Sequence, residues 1–261
     1  MRLTHLGTAT LLIEIGELRL LTDPVFDPAG TKHDFGFGFG STKEYETAAS
    51  AAEVTGVDAV LLSHDQHGDN LDARGREVMA RAPRILTTPA AERRLRRAGS
   101  AGAGSIEGLA PFQSTELVKG TTRLRITSTP ARHGPPLSLP FVGAVTGFVL
   151  EWEGQTRGSV YITGDTVFYG GVEQVAERFD VGVAVVHVGC ASWGPMRFTM
   201  NAREAATFAR TFPRATLVPV HYDGWTHFKE KRVDVERELE GAGARERLVW
   251  LDPGVACDVA C

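Results

Sequence analysis

Histidine and aspartate crowd into residues 61–72, LLSHDQHGDNLD, directly after an apolar run: His64 and His67 with Asp65, Asp69 and Asp72, and Asn70 among them. The same residue types recur singly further on, as His133 in STPARHG, Asp165 in SVYITGD and His221 in TLVPVH. Imidazole and carboxylate together suit zinc or a similar divalent ion, and clustered cysteines that would close a structural site are absent from the sequence. A lone histidine after a strand is more often a hydrogen-bonded structural residue. Four such clusters at equivalent places are hard to obtain by accident. The pattern favours an open, catalytic metal centre.

Residues so far apart can meet only if regular elements deliver them to one place. Short apolar, β-branched runs supply candidate strands at 11–15, 18–22, 58–63, 84–88, 122–128, 146–152, 159–163, 181–188, 216–220 and 247–251, most of them bounded by Gly, Asp or Pro. Helical patterns fall at 72–82, 89–98, 171–178, 201–212 and 229–241, the last a charged surface helix. In 201–212, Asn201 is an N-cap with Glu204 three residues on, a capping box, and Ala205, Phe208, Ala209 and Phe212 form an apolar stripe that reads as core. The His and Asp clusters each follow the C-terminal end of a strand, so their loops project from one rim of a sheet and can converge. Two segments read as irregular. GTKHDFGFGFGST, 30–42, is expected to be a mobile loop, its Phe residues either an apolar lip for substrate or folded back on the core; HGPPLSLPFVGA, 133–144, is too Pro-rich for regular structure. Without an internal repeat or a convincing linker, residues 1–261 read as one α/β domain.

The stretches THLGTATLLIEIGELRLLTDPVF, LLSHDQHGDNLD, PARHG, YITGDT and VPVHY, taken in order over residues 4–221, resemble the successive motifs of the metallo-β-lactamase superfamily. Within it the chain is most similar to the branch of ascorbate-6-phosphate lactonases and N-acylphosphatidylethanolamine-type phospholipases. The resemblance implies a four-layer αββα sandwich with a metal site at one rim of its two sheets. The family's core motif is His-x-His-x-Asp-His followed by Leu-Asp. Read backwards from NLD, His67, Asp69 and Asn70 match its last three ligand positions, and His64 matches the first with one extra residue between it and His67. By this analogy His64, His67 and His133 hold a first zinc ion, Asp69, Asn70 and His221 a second, and Asp165 bridges them. Asn70 departs from the family: its amide oxygen is a neutral and poorer donor than imidazole, so the second site should be weaker or suit a harder ion such as Mn. His187, ending the apolar run VGVAVVHV, either supplies the missing nitrogen, contacts substrate, or is a buried hydrogen-bonded histidine. Asp23 in LTDP is expected to accept a hydrogen bond from a ligand histidine or to cap a turn. His5 is equally open between the site and packing, and His33 and His227 read as surface or substrate-lip residues.

A divalent ion brings the pKa of water from 15.7 toward roughly 7 and polarises a carbonyl or phosphoryl oxygen. Asp69 or Asp165 is then placed to orient the attacking water and carry its proton to the leaving group. The implied reaction is metal-dependent hydrolysis of a phosphoester, lactone or related ester in a small molecule; a degenerate member that binds metal or ligand without turnover is the alternative. No Ser-x-x-Lys or Gly-x-Ser-x-Gly offers a serine nucleophile, and GFGFG lacks the strand-turn-helix setting of a nucleotide site. Arg132 and Lys32 lean toward an anionic substrate.

Composition agrees with that class. With 43% hydrophobic and 23% charged residues the chain is ordinary for a soluble globular protein, and a net charge of -4 argues against nucleic acid as partner. The basic run RRLRR, 93–97, reads as a solvated helix face. Glu14, Glu17 and Arg19 interrupt the N-terminal apolar runs, so neither signal peptide nor transmembrane segment is expected. Cys190, Cys257 and Cys261 are an odd set without CxxC spacing, which points to a reduced cytoplasm. Cys190 reads as a small buried hydrophobe. A homo-oligomer is compatible with the sequence, although no exposed seam marks one.

Overall fold

The computed structural model describes residues 1–36, 39–99, 104–136 and 138–261. Its strands, in chain order, are β1 (Arg2–Gly7), β2 (Thr10–Ile15), β3 (Leu18–Thr22), β4 (Lys32–Gly36), β5 (Phe39–Thr42), β6 (Ala59–Leu61), β7 (Arg84–Thr87), β8 (Ser105–Gly108), β9 (Ser114–Lys119), β10 (Thr122–Pro130), β11 (Thr146–Trp152), β12 (Ser159–Ile162), β13 (Val181–His187), β14 (Ser192–Trp193), β15 (Met196–Arg197), β16 (Thr216–Val220) and β17 (Ala256–Asp258). The helices are α1 (Ala73–Met79), α2 (Pro89–Arg97), α3 (Leu139–Val142), α4 (Gly170–Arg178), α5 (Ala202–Thr211) and α6 (Arg232–Gly241). One sheet runs β17-β1-β2-β3-β6-β7-β8 and a second β16-β13-β12-β11-β10-β9.

Period-2 alternation explains the layering. In β13, buried along its whole length, Val183 and Val185 face a core shared with Leu11, Ile13 and Leu20 of the other sheet, whereas Ala184 and Val186 face Phe208, Val172 and Val235 from the helices. In β6, Ala59 and Leu61 face the inter-sheet core, while Val60 joins Val78 and Met79 of α1 and Leu95 of α2. Helices therefore cover both outer faces, and the architecture is the four-layer αββα sandwich. Replacing one of the fully buried inter-sheet leucines by Ala would cost about 2–5 kcal/mol, because the sheets cannot collapse onto the hole.

Strand directions decide where function can sit. β13 runs parallel to β12 and to β16, and β10 is antiparallel to β11, which is antiparallel to β12. So β10, β12, β13 and β16 all end at one rim, followed by His133, Asp165, His187 itself and His221. In the facing sheet β3 and β6 are parallel and end at Asp23 and Ser63–His64. Two backbone bonds tie the sheets at this rim, Thr146 N–H to the Ser63 carbonyl at 3.1 Å and His221 N–H to the Thr8 carbonyl at 2.9 Å.

Some expected elements come out differently. The Gly-Phe stretch forms an antiparallel strand pair, β4 with β5, instead of a loop; Lys32 pairs with Thr42 and His33 with Ser41, and Thr226 bonds to it from the chain's far end. Its lip expectation concerns Phe side chains outside the described residues. The Pro-rich segment contains the short α3. Residues 247–251 make no strand: Arg245–Arg247 is a 3-10 turn and Leu248 meets Leu217 in a single bridge, so the apolar run packs without extending a sheet. The basic run also turns inward in part, since Arg94 Nε donates to both Asp65 carboxylate oxygens at 3.1 Å. The capping box of α5 is as read, with Asn201 Oδ1 accepting from Glu204 N–H at 2.8 Å. No helix among the described residues is long and apolar enough to cross a membrane.

Candidate metal centre

The extra residue between His64 and His67 does not separate them. His64 Nε2 lies 3.1 Å from His67 Nδ1, and His133 Nε2 lies 3.1 Å from the same atom. Ligand atoms around a tetrahedral zinc with bonds near 2.0–2.2 Å stand roughly 3.3–3.6 Å apart, so three imidazoles aimed at one point are close to a ligand spacing. Two of the rings are anchored behind: His64 Nδ1 on Ser63 Oγ at 2.9 Å, His133 Nδ1 on the Phe198 carbonyl at 2.9 Å. The turn past His67 is fixed by Leu71, buried beside α1, and by Asp72, which caps α1 by accepting from Gly75 N–H at 2.7 Å. The Leu-Asp of the motif is thus a hinge between the candidate ligands and the core.

The remaining groups form a second cluster. His221 Nε2 stands 3.4 Å from Asp69 Oδ2 and 3.4 Å from Asp165 Oδ2. His221 is buried at φ 62°, a left-handed conformation that costs a non-glycine residue of order 1–3 kcal/mol and here aims its ring into the site. Gly189 lies against it: a Cβ there would come within 2.5 Å of the His221 carbonyl oxygen. Asn70 presents one amide atom 3.2 Å from Asp69 Oδ1 and 3.3 Å from Asp165 Oδ2. In the metal-free protein nitrogen at that place donates to both acids. Oxygen there would face only acceptors, and becomes favourable once a cation sits among them.

His227 is the residue the sequence reading missed. Its sequence setting points to the surface or a substrate lip, but it is buried, and its Nε2 lies 3.1 Å from Asp69 Oδ2 while Nδ1 lies 2.7 Å from Ser41 Oγ. The signal available was a second histidine six positions after His221 on a chain that had just left the rim. His187 is buried beside His221, with ring centroids 5.6 Å apart, and its Nδ1 meets Thr163 Oγ1 at 3.2 Å; it belongs to neither cluster. Asp23 Oδ1 accepts from Ser63 N–H at 2.7 Å, and its nearest histidine nitrogen in ion-pair range is His187 Nε2 at 3.9 Å, so it braces the His64 strand end and not a ligand ring. His5 is buried with Nε2 on the Thr8 carbonyl at 3.0 Å, and His33 packs edge-on to Trp225 at 5.2 Å. Cys190 is a buried thiol whose pKa burial raises, in keeping with packing.

Electrostatics separates the clusters. Burial, then the neighbouring imidazoles, lowers His64 well below the usual histidine range, and burial first of all brings His67 and His133 to about 4. Burial alone would lower His221 too, but Asp165 and Asp69 overbalance it and hold it at about 9. Burial alone would raise Asp69, yet the contacts of His221 and His227 keep it well below the carboxylate range. Burial raises Asp165, and raises Asp23 to about 8.

The ligand atoms of His64, His67 and His133 lie within 4.8 Å of one another, as do those of Asp69, Asp165 and His221. Asp165 Oδ1 is buried without a hydrogen-bond partner among the described residues, and His221 Nε2 has only its ion-pair contacts at 3.4 Å. A buried polar atom left so is costly, and a divalent cation that took the place of the His221 proton would satisfy both. The donors present therefore fit such an ion.

An αββα sandwich with imidazole and carboxylate donors gathered at one rim defines a class, and comparison with known sequences agrees. The sequence family described as beta-lactamase superfamily domain matches residues 18–222, and the chain belongs to it. A UPF0173 metal-dependent hydrolase of Methanopyrus kandleri is 28% identical over 97% of this chain and 98% of its own, and one of Pelotomaculum thermopropionicum is 26% identical over 99% and 100%. Among solved structures, an isothiocyanate hydrolase from Delia radicum gut bacteria superposes with a TM-score of 0.83 at 21% identity, covering 100% of both chains. A metallo hydrolase from Ignicoccus hospitalis reaches 0.69 at 21% identity over 99% and 98%.

Proposed function

We propose that this chain is a metal-dependent hydrolase, one domain over residues 1–261, that cleaves a phosphoester, lactone or related ester bond of a small molecule. One observation carries the reading: donor atoms from several strand ends converge into two groups, with Asp165 Oδ1 left unsatisfied among the described residues. His64, His67 and His133 would hold one ion, and their imidazole set suits zinc. Asp69, Asn70 and His221 would hold a second, with Asp165 between the two, and this oxygen-rich set suits a weaker zinc or a harder ion such as Mn. When bound, the ion supplies Lewis acidity, polarising the oxygen under attack and bringing the pKa of water toward roughly 7. Asp69 and Asp165 orient the attacking water and pass its proton to the leaving group.

The lactonase and phospholipase branch suggested by the motifs supplies the substrate class. Arg132, next to His133, stacks on Tyr169 at 4.5 Å, which fixes a cation near the rim and keeps an anionic substrate in the proposal. The degenerate alternative has two motives, the extra residue before His67 and the amide of Asn70, and the first loses its force because the three imidazoles stay together.

The test is elemental analysis of protein purified without added metal, followed by assays on bis(p-nitrophenyl) phosphate, a lactone, a thioester and an isothiocyanate, the last because a chain of this fold hydrolyses one. Co-purifying divalent metal, and turnover of an ester that a chelator abolishes, are expected. Chelator-insensitive turnover, or protein that takes up no divalent ion, would end the proposal.

A further inference from the structure

His227 touches Asp69, yet what its ring does there depends on which nitrogen carries the hydrogen. A chain of contacts answers that. The Thr42 backbone N–H donates to Thr226 Oγ1 at 3.1 Å; Thr226 Oγ1 lies 3.1 Å from Ser41 Oγ; Ser41 Oγ lies 2.7 Å from His227 Nδ1; and His227 Nε2 lies 3.1 Å from Asp69 Oδ2. The two hydroxyls could point either way in isolation. The carboxylate end decides: Asp69 Oδ2 faces the Nε2 of both His221 and His227, at 3.4 and 3.1 Å, as an acceptor, whereas Thr226 Oγ1, with two lone pairs, takes the Thr42 N–H in either sense. With one hydrogen per hydroxyl, the chain then runs in one sense. Thr226 donates to Ser41, Ser41 donates to Nδ1, and the ring hydrogen lies on Nε2, pointing at Asp69.

We infer that His227 is a positioning residue for Asp69 and not a further metal ligand, its Nε2 hydrogen turned to that carboxylate and its Nδ1 held by Ser41 of β5. The inference rests on the proposed metal centre, since Asp69 matters there as the carboxylate facing the ion. An Nε2 that donates to Oδ2 has no lone pair in that direction for a cation. What it does is fix one carboxylate oxygen and so the rotation of the whole group, leaving Oδ1 toward Asn70. Ser41 and His227 are 186 residues apart in sequence and both buried, so the contact also ties the β4–β5 pair to the segment after His221. Histidine–carboxylate contacts next to a metal are a known means of orienting ligands, and losing one typically weakens metal affinity about 10–100-fold.

The experiment has two readouts on the full chain. Nitrogen NMR of the histidine side chains, with His227→Gln used to assign the ring, reports which nitrogen is protonated, before and after loading with zinc or cobalt. The hydrogen is expected on Nε2 in both states; a hydrogen on Nδ1, or a cobalt-shifted Nε2, overturns the inference. Metal titration of His227→Ala and His227→Gln gives the second readout. The alanine variant should lose about 10–100-fold in affinity at the Asp69 side only, and the glutamine variant, whose amide N–H reaches the same place as Nε2–H, should recover most of it. Equal loss in both overturns the positioning role, as does no loss in either. Should the alanine variant fail to fold, the glutamine variant and the wild-type spectrum still decide. Wild-type protein that binds no divalent ion would sink the metal centre instead, and the nitrogen shifts alone would then judge the hydroxyl chain.

Discussion

His64, His67 and His133 meet as imidazoles that burial keeps unprotonated, whereas Asp69, Asp165 and His221 meet as opposite charges holding one another in place. The first half is ready for a cation at neutral pH. The second already has one, the proton on His221, and an incoming metal must displace it. The weakness proposed for the second site would therefore have a cause beyond the amide of Asn70: metal there would compete with a proton held until about pH 9. The two halves should respond differently to mutation, to pH and to loss of their supports.

The largest effect should come from the imidazole half. His64→Ala or His133→Ala leaves two nitrogens where three converge, and hydrolysis is expected to fall by at least about 10³-fold with loss of the tight ion. Turnover unchanged within tenfold, measured on the substrate found in the panel, would mean that the reaction does not run through this half.

Proton competition predicts the next contrast. Ligand histidines bind metal only when deprotonated, so affinity at the acid half should rise about tenfold per pH unit between 7 and 9, roughly 100-fold in all. The imidazole half should be flat over that range, because His67 and His133 lose their protons near 4. Calorimetric titration at pH 7, 8 and 9 separates the two; parallel slopes would show that the halves titrate as one unit.

Asn70 sharpens the comparison from the acid side. Asn70→Asp keeps the shape but replaces a donor by an acceptor between Asp69 and Asp165. In metal-free protein the loss should be at least about 2 kcal/mol, since three carboxylates then face one another in a buried site. A divalent ion should return most of it, giving a larger metal-induced shift in denaturation midpoint than in the parent. A variant as stable as the parent without metal would show that Asn70 does not bridge the acids.

Much of this centre was legible in the sequence, for a physical reason. His64, His133, Asp165 and His221 each follow an apolar β-branched strand, and parallel strands that share a sheet must end at the same rim. Local rules also sufficed for α5, where Asn201 and Glu204 satisfy backbone groups within one turn. His227 was out of reach because its partner Ser41 lies on a strand whose alternating glycines read as a breaker, and no local pattern links the two. Asp23 was recognised as a site neighbour, but its partner Ser63 is set by how two strands align, which periodicity does not encode. The run at 247–251 misled for the converse reason: it has the composition of a strand, but its neighbours offer it one bridge and no ladder.

The smallest effects make the most discriminating pair. Arg94 grips Asp65, the residue after His64, while Ser41 grips His227, which grips Asp69. Neither touches a candidate ligand, so each should act only through the half it supports. The Arg94–Asp65 pair is 41% exposed on the arginine side but only 6% on the aspartate side, so the cost of losing it is not that of a surface pair. Its removal should also be felt as looseness in the loop carrying His64. Arg94→Ala is therefore expected to weaken the imidazole half about 10-fold and spare the acid half, with Ser41→Ala doing the reverse. Metal titrations of the two variants and of the double variant check this. Independent halves predict that the double variant shows both losses and no more, because contacts with no shared partner add. Either single variant weakening both ions alike would mean that the two clusters are one mechanical unit, and that their opposite electrostatics is a division of charge without a division of structure.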